Sequence, residues 1–147
     1  MARYARRQSG VAIVEFALIL PMLLVLTFIT TEFGRALHQY NTIVKSVRDA
    51  ARYLSIQTPG DTTAMLRARN LVVYGDPGGS GTPIVPGLAL SHVPDPVWST
   101  SGTAPAISAV TIRVSGYTFQ PMFPAAFGHT FTLPAFSDIT ATMRSHV

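Results

Sequence analysis

The run VAIVEFALILPMLLVLTFITT, residues 11–31, constrains this chain more than any other feature. Sixteen of its 21 residues are strongly apolar and only Glu15 is charged. As a helix rising about 1.5 Å per residue it reaches roughly 30 Å, the thickness of a bilayer's hydrocarbon core. A domain of 147 residues could bury one apolar helix. This run, however, is too long and too uniformly apolar for so small a core, and it predicts a membrane segment. Its apolar stretch exceeds the 7–15 residues usual for a secretory signal, and no small-x-small site closes it. The expectation is therefore a retained anchor.

The charge distribution gives the segment a direction. The formal net charge is +4, with a pI near 10.0, which would suit a nucleic-acid binder if it were spread over the fold. It is not: Arg3, Arg6 and Arg7 precede the apolar run. Residues 11–147 carry eight Lys and Arg against all seven Asp and Glu. That remainder has no basic stripe interleaved with aromatics, so no nucleic-acid partner is expected. Three arginines ahead of a membrane segment, with no acid among them, place the N-terminus in the cytoplasm and the rest outside. Arg6-Arg7 could open a twin-arginine signal, but the expected pattern does not follow. The absence of cysteine excludes a disulfide scaffold.

Beyond the membrane the helical period continues. Phe33, Leu37, Tyr40, Val44, Val47, Ala51 and Leu54 alternate at steps of four and three, a heptad stripe. Arg35, Gln39, Lys45, Arg48, Asp49 and Arg52 form the polar side. Such a stripe packs either on its own domain, the expectation for its outer half, or against neighbouring helices. No proline falls between Pro21 and Pro59, so one helix of roughly 45 residues, about 65 Å long, is predicted, with Pro21 permitting a kink in mid-membrane. Thr58-Pro59-Gly60-Asp61 ends it. Asp61 or Thr62 can cap a second helix, with Ala64, Met65, Ala68, Leu71 and Val72 inward, Arg67, Arg69 and Asn70 outward, and Gly75 as the stop. The Gly/Pro-rich stretch 75–83 reads as a loop. It lacks the lysine of a phosphate loop and the second glycine of a nucleophile elbow.

From residue 84 the chain reads as strands. Val110, Ile112 and Val114 share one face of a good strand. HTFTLPAFSDITATMRS offers one or two more, with Pro134 confined to an edge or bulge, and Ile84–Val93 gives a weaker one. VPDPVWS reads as a proline-stiffened turn in which Asp95 is ordinary turn chemistry. Phe119, Phe123, Phe127 and Phe131 suit a core better than a contact surface. The fold class expected is α+β: a long transmembrane helix continuing as an amphipathic one, a short second helix, and an antiparallel sheet of three or four strands. Its organisation is a leader 1–10, a span 11–31, a helical region 32–74, the loop 75–83 and a β-rich region 84–147. His38, His92, His129 and His146 are scattered singly, and no nucleophile–base or paired-carboxylate arrangement stands out. No enzyme, metal, cofactor or small-molecule substrate is expected.

The order of features around Glu15 carries more. A basic leader ends in Ser9-Gly10, and an apolar segment follows whose fifth residue is Glu15, with Phe16 next. This G-x-x-x-x-E-F pattern resembles the processing region of type IV pilin-like proteins in the form used by the Tad (tight adherence) branch. VAIVEFALILPMLLVLTFITTEFGRAL, VRDAARYLS, NLVVYGDPGG, VTIRVSGYTF and LPAFSDITATMRS are similar to successive blocks of TadE-like minor pilins. The resemblance implies cleavage by a membrane-embedded aspartyl prepilin peptidase between Gly10 and Val11 on the cytoplasmic face. It also implies an assembly contact at Glu15 and Phe16, and other pilin-like subunits and an inner-membrane assembly platform as partners. Glycine before the cut suits a backbone drawn extended into a protease cleft. Cleavage would remove Arg3, Arg6 and Arg7 and create an ammonium on Val11. A carboxylate in lipid costs several kcal/mol unless paired, so Glu15 implies a partner: its own Val11 ammonium, or a neighbour's.

Overall fold

The computed structural model describes residues 5–103, 106–122, 125–126, 129–130 and 137–146; residues 5–9, 125–126 and 129–130 are described by backbone alone. Helix α1 runs without interruption from Ala5 to Leu54, 50 residues or about 75 Å. Pro21 lies inside it and cannot donate to the Ala17 carbonyl, yet the helix continues past it. The six residues ahead of the apolar run, 5–10, belong to the same helix. The stretch from Gly10 onward is long and apolar enough to cross a membrane, with a mean hydropathy of 2.6 and none of its most apolar window buried.

Helix α2, Thr62–Tyr74, packs on the outer end of α1. Asp61 caps it, accepting from the Thr63 and Ala64 amides at 2.8 and 3.3 Å. Gly75 ends it in the left-handed region (φ 70°), donating to the Leu71 carbonyl at 3.0 Å, a conformation that favours glycine. Asn70, expected outside, is buried. Its Nδ2 donates to the Pro77 carbonyl at 3.2 Å and so holds the Gly/Pro loop against α2. Arg69 also turns back, bonding the Asp95 carboxylate at 2.8 Å and the Leu90 carbonyl at 3.0 Å. Asp95 is thus an ion-pair partner and not solely a turn residue.

The sheet has the antiparallel order β1-β2-β5, with β1 Val97–Ser101, β2 Ile107–Val114 and β5 Ile139–Arg144. Val110, Ile112 and Val114 face inward as expected, paired across β5 with Met143, Ala141 and Ile139. Outward, Thr111 and Thr142 join hydroxyls at 2.9 Å. A two-residue ladder pairs β3, Ala125–Ala126, with β4, His129–Thr130. The helices cover the inner face, and one core joins Ile43, Val47 and Leu54 of α1 to Val72 of α2 and Val110 and Ile112 of β2.

Two strand expectations change. Ile84–Val93 forms turns and a 3₁₀ helix, Leu90–His92, not a strand. Pro83, Pro86, Pro94 and Gly87 (φ 80°) deny it a ladder, so Val85, Leu88 and Val93 enter the core as plugs. The strand instead begins one residue after Pro96, in the VWSTS that had read as part of a turn. Proline directly before a strand removes no ladder hydrogen bond, and the branched and aromatic residues behind it supply β preference. Pro134, Phe123, Phe127 and Phe131 lie outside the described residues, whereas Phe119 is buried as core.

Candidate functional site

Gly10, Val11, Val14, Glu15 and Leu18 share one face of α1 and line a shallow, mostly apolar groove along it. Their spacing of three, four and seven is that of side chains stacked on successive turns. Val11 and Glu15 stand one turn apart on the same helix. Phe16 points off this face and is exposed, as are Val11, Ile13 and Leu18. Nothing approaches within 4 Å of where a Gly10 Cβ would stand, so Gly10 is not there to relieve crowding. The Gly10–Val11 bond lies within the helix, where glycine lowers helix stability by about 1 kcal/mol relative to alanine. Arg6 and Arg7 continue the helical backbone ahead of it, and Arg3 lies outside the described residues.

A second cluster sits where the apolar run ends, and the sequence reading passed over it. Glu32, 6% exposed, accepts both oxygens' bonds from Arg35 Nη1 at 2.9 and 3.0 Å. The same carboxylate accepts the Met122 backbone N–H at 3.3 and 3.2 Å. The Arg35 guanidinium lies 5.5 Å from the centre of the Phe119 ring, within cation–π reach. Two turns on, the Tyr117 hydroxyl lies 2.8 Å from Gln39 Oε1 and 2.9 Å from the Pro86 carbonyl. Burial pushes the Tyr117 hydroxyl's pKa up, opposed in part by the charge of Arg35. Glu32, Gln39 and Tyr117 thus seam the membrane-proximal part of α1 to the loop after β2.

This seam corrects the stripe read from sequence. Burial on α1 falls on Glu32, Ala36, Gln39, Ile43, Ser46, Val47, Ala50, Ala51 and Leu54, with Tyr40 and Val44 partly buried against the core. The outer half of the predicted stripe thus packs on its own domain as expected, while Phe33 and Leu37 remain 63% and 51% exposed. Gln39, assigned to the polar side, is inside. A straight helix drifts about 20° per heptad from a strict seven-residue repeat. The two stripes therefore coincide at Val47, Ala51 and Leu54 and part toward the apolar segment.

Among the described residues, no three His, Cys, Asp or Glu converge as a metal site would require. No curated protein and no solved structure matches the chain. One family does: residues 10–52, the helix from the glycine before the apolar run almost to its end, match the sequence model of the family described as TadE-like protein, the family the G-x-x-x-x-E-F segment resembles.

Proposed function

We propose that the chain is a minor pilin or pseudopilin of a Tad-type pilus or secretion system, a structural subunit and not an enzyme. Prepilin peptidase cuts it after Gly10. The mature chain stays in the inner membrane as a single-pass protein, leader side cytoplasmic and C-terminal domain periplasmic or extracellular, and acts in pilus assembly, adhesion or biofilm formation. The observation that carries this reading is the TadE-like match, which begins at Gly10 and follows α1 to residue 52. The fold is compatible with it: an exposed apolar helix bearing Glu15 on an open face, continuous with a head that buries only its outer end.

In this reading the cut removes the three leader arginines and leaves Val11 with a free ammonium one turn from Glu15. Either that ammonium or the Val11 ammonium of an adjoining subunit neutralises the carboxylate. Pairing between subunits fixes the stagger of packed helices, because an unpaired charge in lipid costs several kcal/mol.

The intact mass of the protein from native membranes tests the cleavage. Loss of residues 1–10, abolished by Gly10→Val, is the expected result. A full-length mature chain in cells that contain the peptidase refutes it and leaves an uncleaved anchored module. For Glu15, the Leu variant is expected to insert normally yet co-purify less with other pilin-like subunits; undiminished association refutes the contact.

A further inference from the structure

We infer that the end of the loop after β2, residues 120–122, rests on the bilayer surface, with Met122 as a lipid contact that seats the head against the membrane. The inference depends on the reading of α1 as a membrane span. Residues 11–31 use up the hydrocarbon thickness, and Glu32 is the next residue. Side chains on a helix lean toward its N-terminus, so the Glu32 carboxylate reaches back beside the turn that leaves the membrane. Its oxygens hold the Met122 N–H at 3.3 and 3.2 Å. Whatever the tilt of α1, Met122 is therefore fixed beside the end of the span.

What this loop presents suits lipid. Residues 115–122, SGYTFQPM, carry no charge, and the Glu32 charge is met by Arg35. Within the loop burial changes over three residues: Phe119 is sequestered under Arg35, whereas Met122 is 61% exposed. Phe33, the next residue of α1, is equally open. An unbranched, polarizable methionine adapts well to an irregular surface. Lipid is also the occupant that connectivity supplies: the span holds the bilayer beside this loop at all times, whereas a protein partner must be recruited.

Because the chain has no cysteine, a single introduced one takes a nitroxide uniquely. Met122→Cys, Ile56→Cys and Leu18→Cys, each labelled in the full chain and reconstituted into phosphatidylcholine/phosphatidylglycerol vesicles, are compared by power saturation with oxygen and a water-soluble nickel chelate. Ile56 lies roughly 35 Å farther along the axis of α1 than Glu32 and reports the aqueous limit; Leu18 reports the membrane interior. The expected result at 122 is loss of nickel access relative to 56, with a depth between those of 56 and 18. A label at 122 as open to nickel as that at 56, with 18 in lipid, overturns the lipid contact and leaves the span standing. Open access at 18 as well overturns both.

Discussion

Replacing Glu32 with alanine tests the joint between the helix and the loop after β2. The Met122 amide has the Glu32 carboxylate as its acceptor, through two contacts at 3.3 and 3.2 Å. A hydrogen bond to a charged group contributes about 1.5–3 kcal/mol, and these lie at the long end of the N–H···O range, which points to about 1.5. The Arg35 pair adds little: the two are three residues apart and Arg35 is about a third exposed, so a few tenths of a kcal/mol is expected. At about 1.4 kcal/mol per tenfold change, Glu32→Ala should speed exchange of the Met122 amide roughly tenfold. Exchange of β2, whose amides are held in the sheet, should be unchanged. Hydrogen–deuterium exchange with mass spectrometry on the reconstituted chain reads both segments at once. Glu32→Gln keeps a neutral acceptor, so its effect should be smaller, since charge-assisted bonds are about twice as strong as neutral ones. Equal exchange of the 117–122 segment in the parent and alanine chains, under conditions where β2 is protected, would refute the reasoning.

Further outcomes follow from neighbouring positions. Tyr117→Phe leaves the buried Gln39 amide and Pro86 carbonyl short of a partner, and should cost about 1–3 kcal/mol at neutral pH by denaturant melts in detergent. Burial raises the Tyr117 pKa, so the folded state binds its proton more tightly than the unfolded one. That contribution is complete below about pH 10, the usual tyrosine value, and is lost as pH rises through the folded pKa; the phenylalanine variant should lack this alkaline fall. Asp61→Ala removes the cap of α2 and should destabilise by about 1 kcal/mol, seen as a lower unfolding midpoint with unchanged slope. Gly34 is helical and exposed, with nothing within 4 Å of its missing Cβ. Gly34→Ala should therefore raise stability by about 0.5–1 kcal/mol, and a loss would mean that the position is crowded when the chain is assembled.

Much of this architecture is legible from periodicity and punctuation. The apolar run, the Asp61 cap, the Gly75 stop and the Val110-Ile112-Val114 face each follow from short-range chemistry, because the signal and its cause lie within a few residues. The misreadings share the opposite property. Asn70 looks like a surface residue on a helix wheel, but its partner, the Pro77 carbonyl, is delivered by a loop that the wheel does not contain. Ile84–Val93 is the exception: its apolar content would suit a strand, and Pro83, Pro86, Gly87 and Pro94, in or beside the same stretch, override it. Glu32 passes as the polar edge of a membrane segment until a backbone amide 90 positions away is brought onto it. Around Gly10 and Glu15 the case differs again: the sequence singles out the residues, and the fold adds their common face and their openness.

The exposed heptad positions follow from the same geometry. A helix that packed on its own head along its whole length would need a stripe following the 3.6-residue period, which the buried series from Glu32 to Leu54 does. Phe33 and Leu37 belong to the strict heptad series and lie off that face. Their exposure is therefore a consequence of an uninterrupted α-helical period in α1 where it packs on the sheet. Near the membrane the buried face also changes character, from Ile43, Val47 and Leu54 to Glu32 and Gln39, both hydrogen-bonded across to the loop after β2. Polar bonds are directional where apolar packing is not, so within the part of α1 that meets the head, residues 43–54 supply most of the burial and Glu32 and Gln39 set the angle at which the head stands on its helix. Pro21 lies below this seam and Gly34 within it. Pro21 therefore leaves the weakest point of α1 within the apolar segment and not at the seam, because its backbone hydrogen bond is absent there.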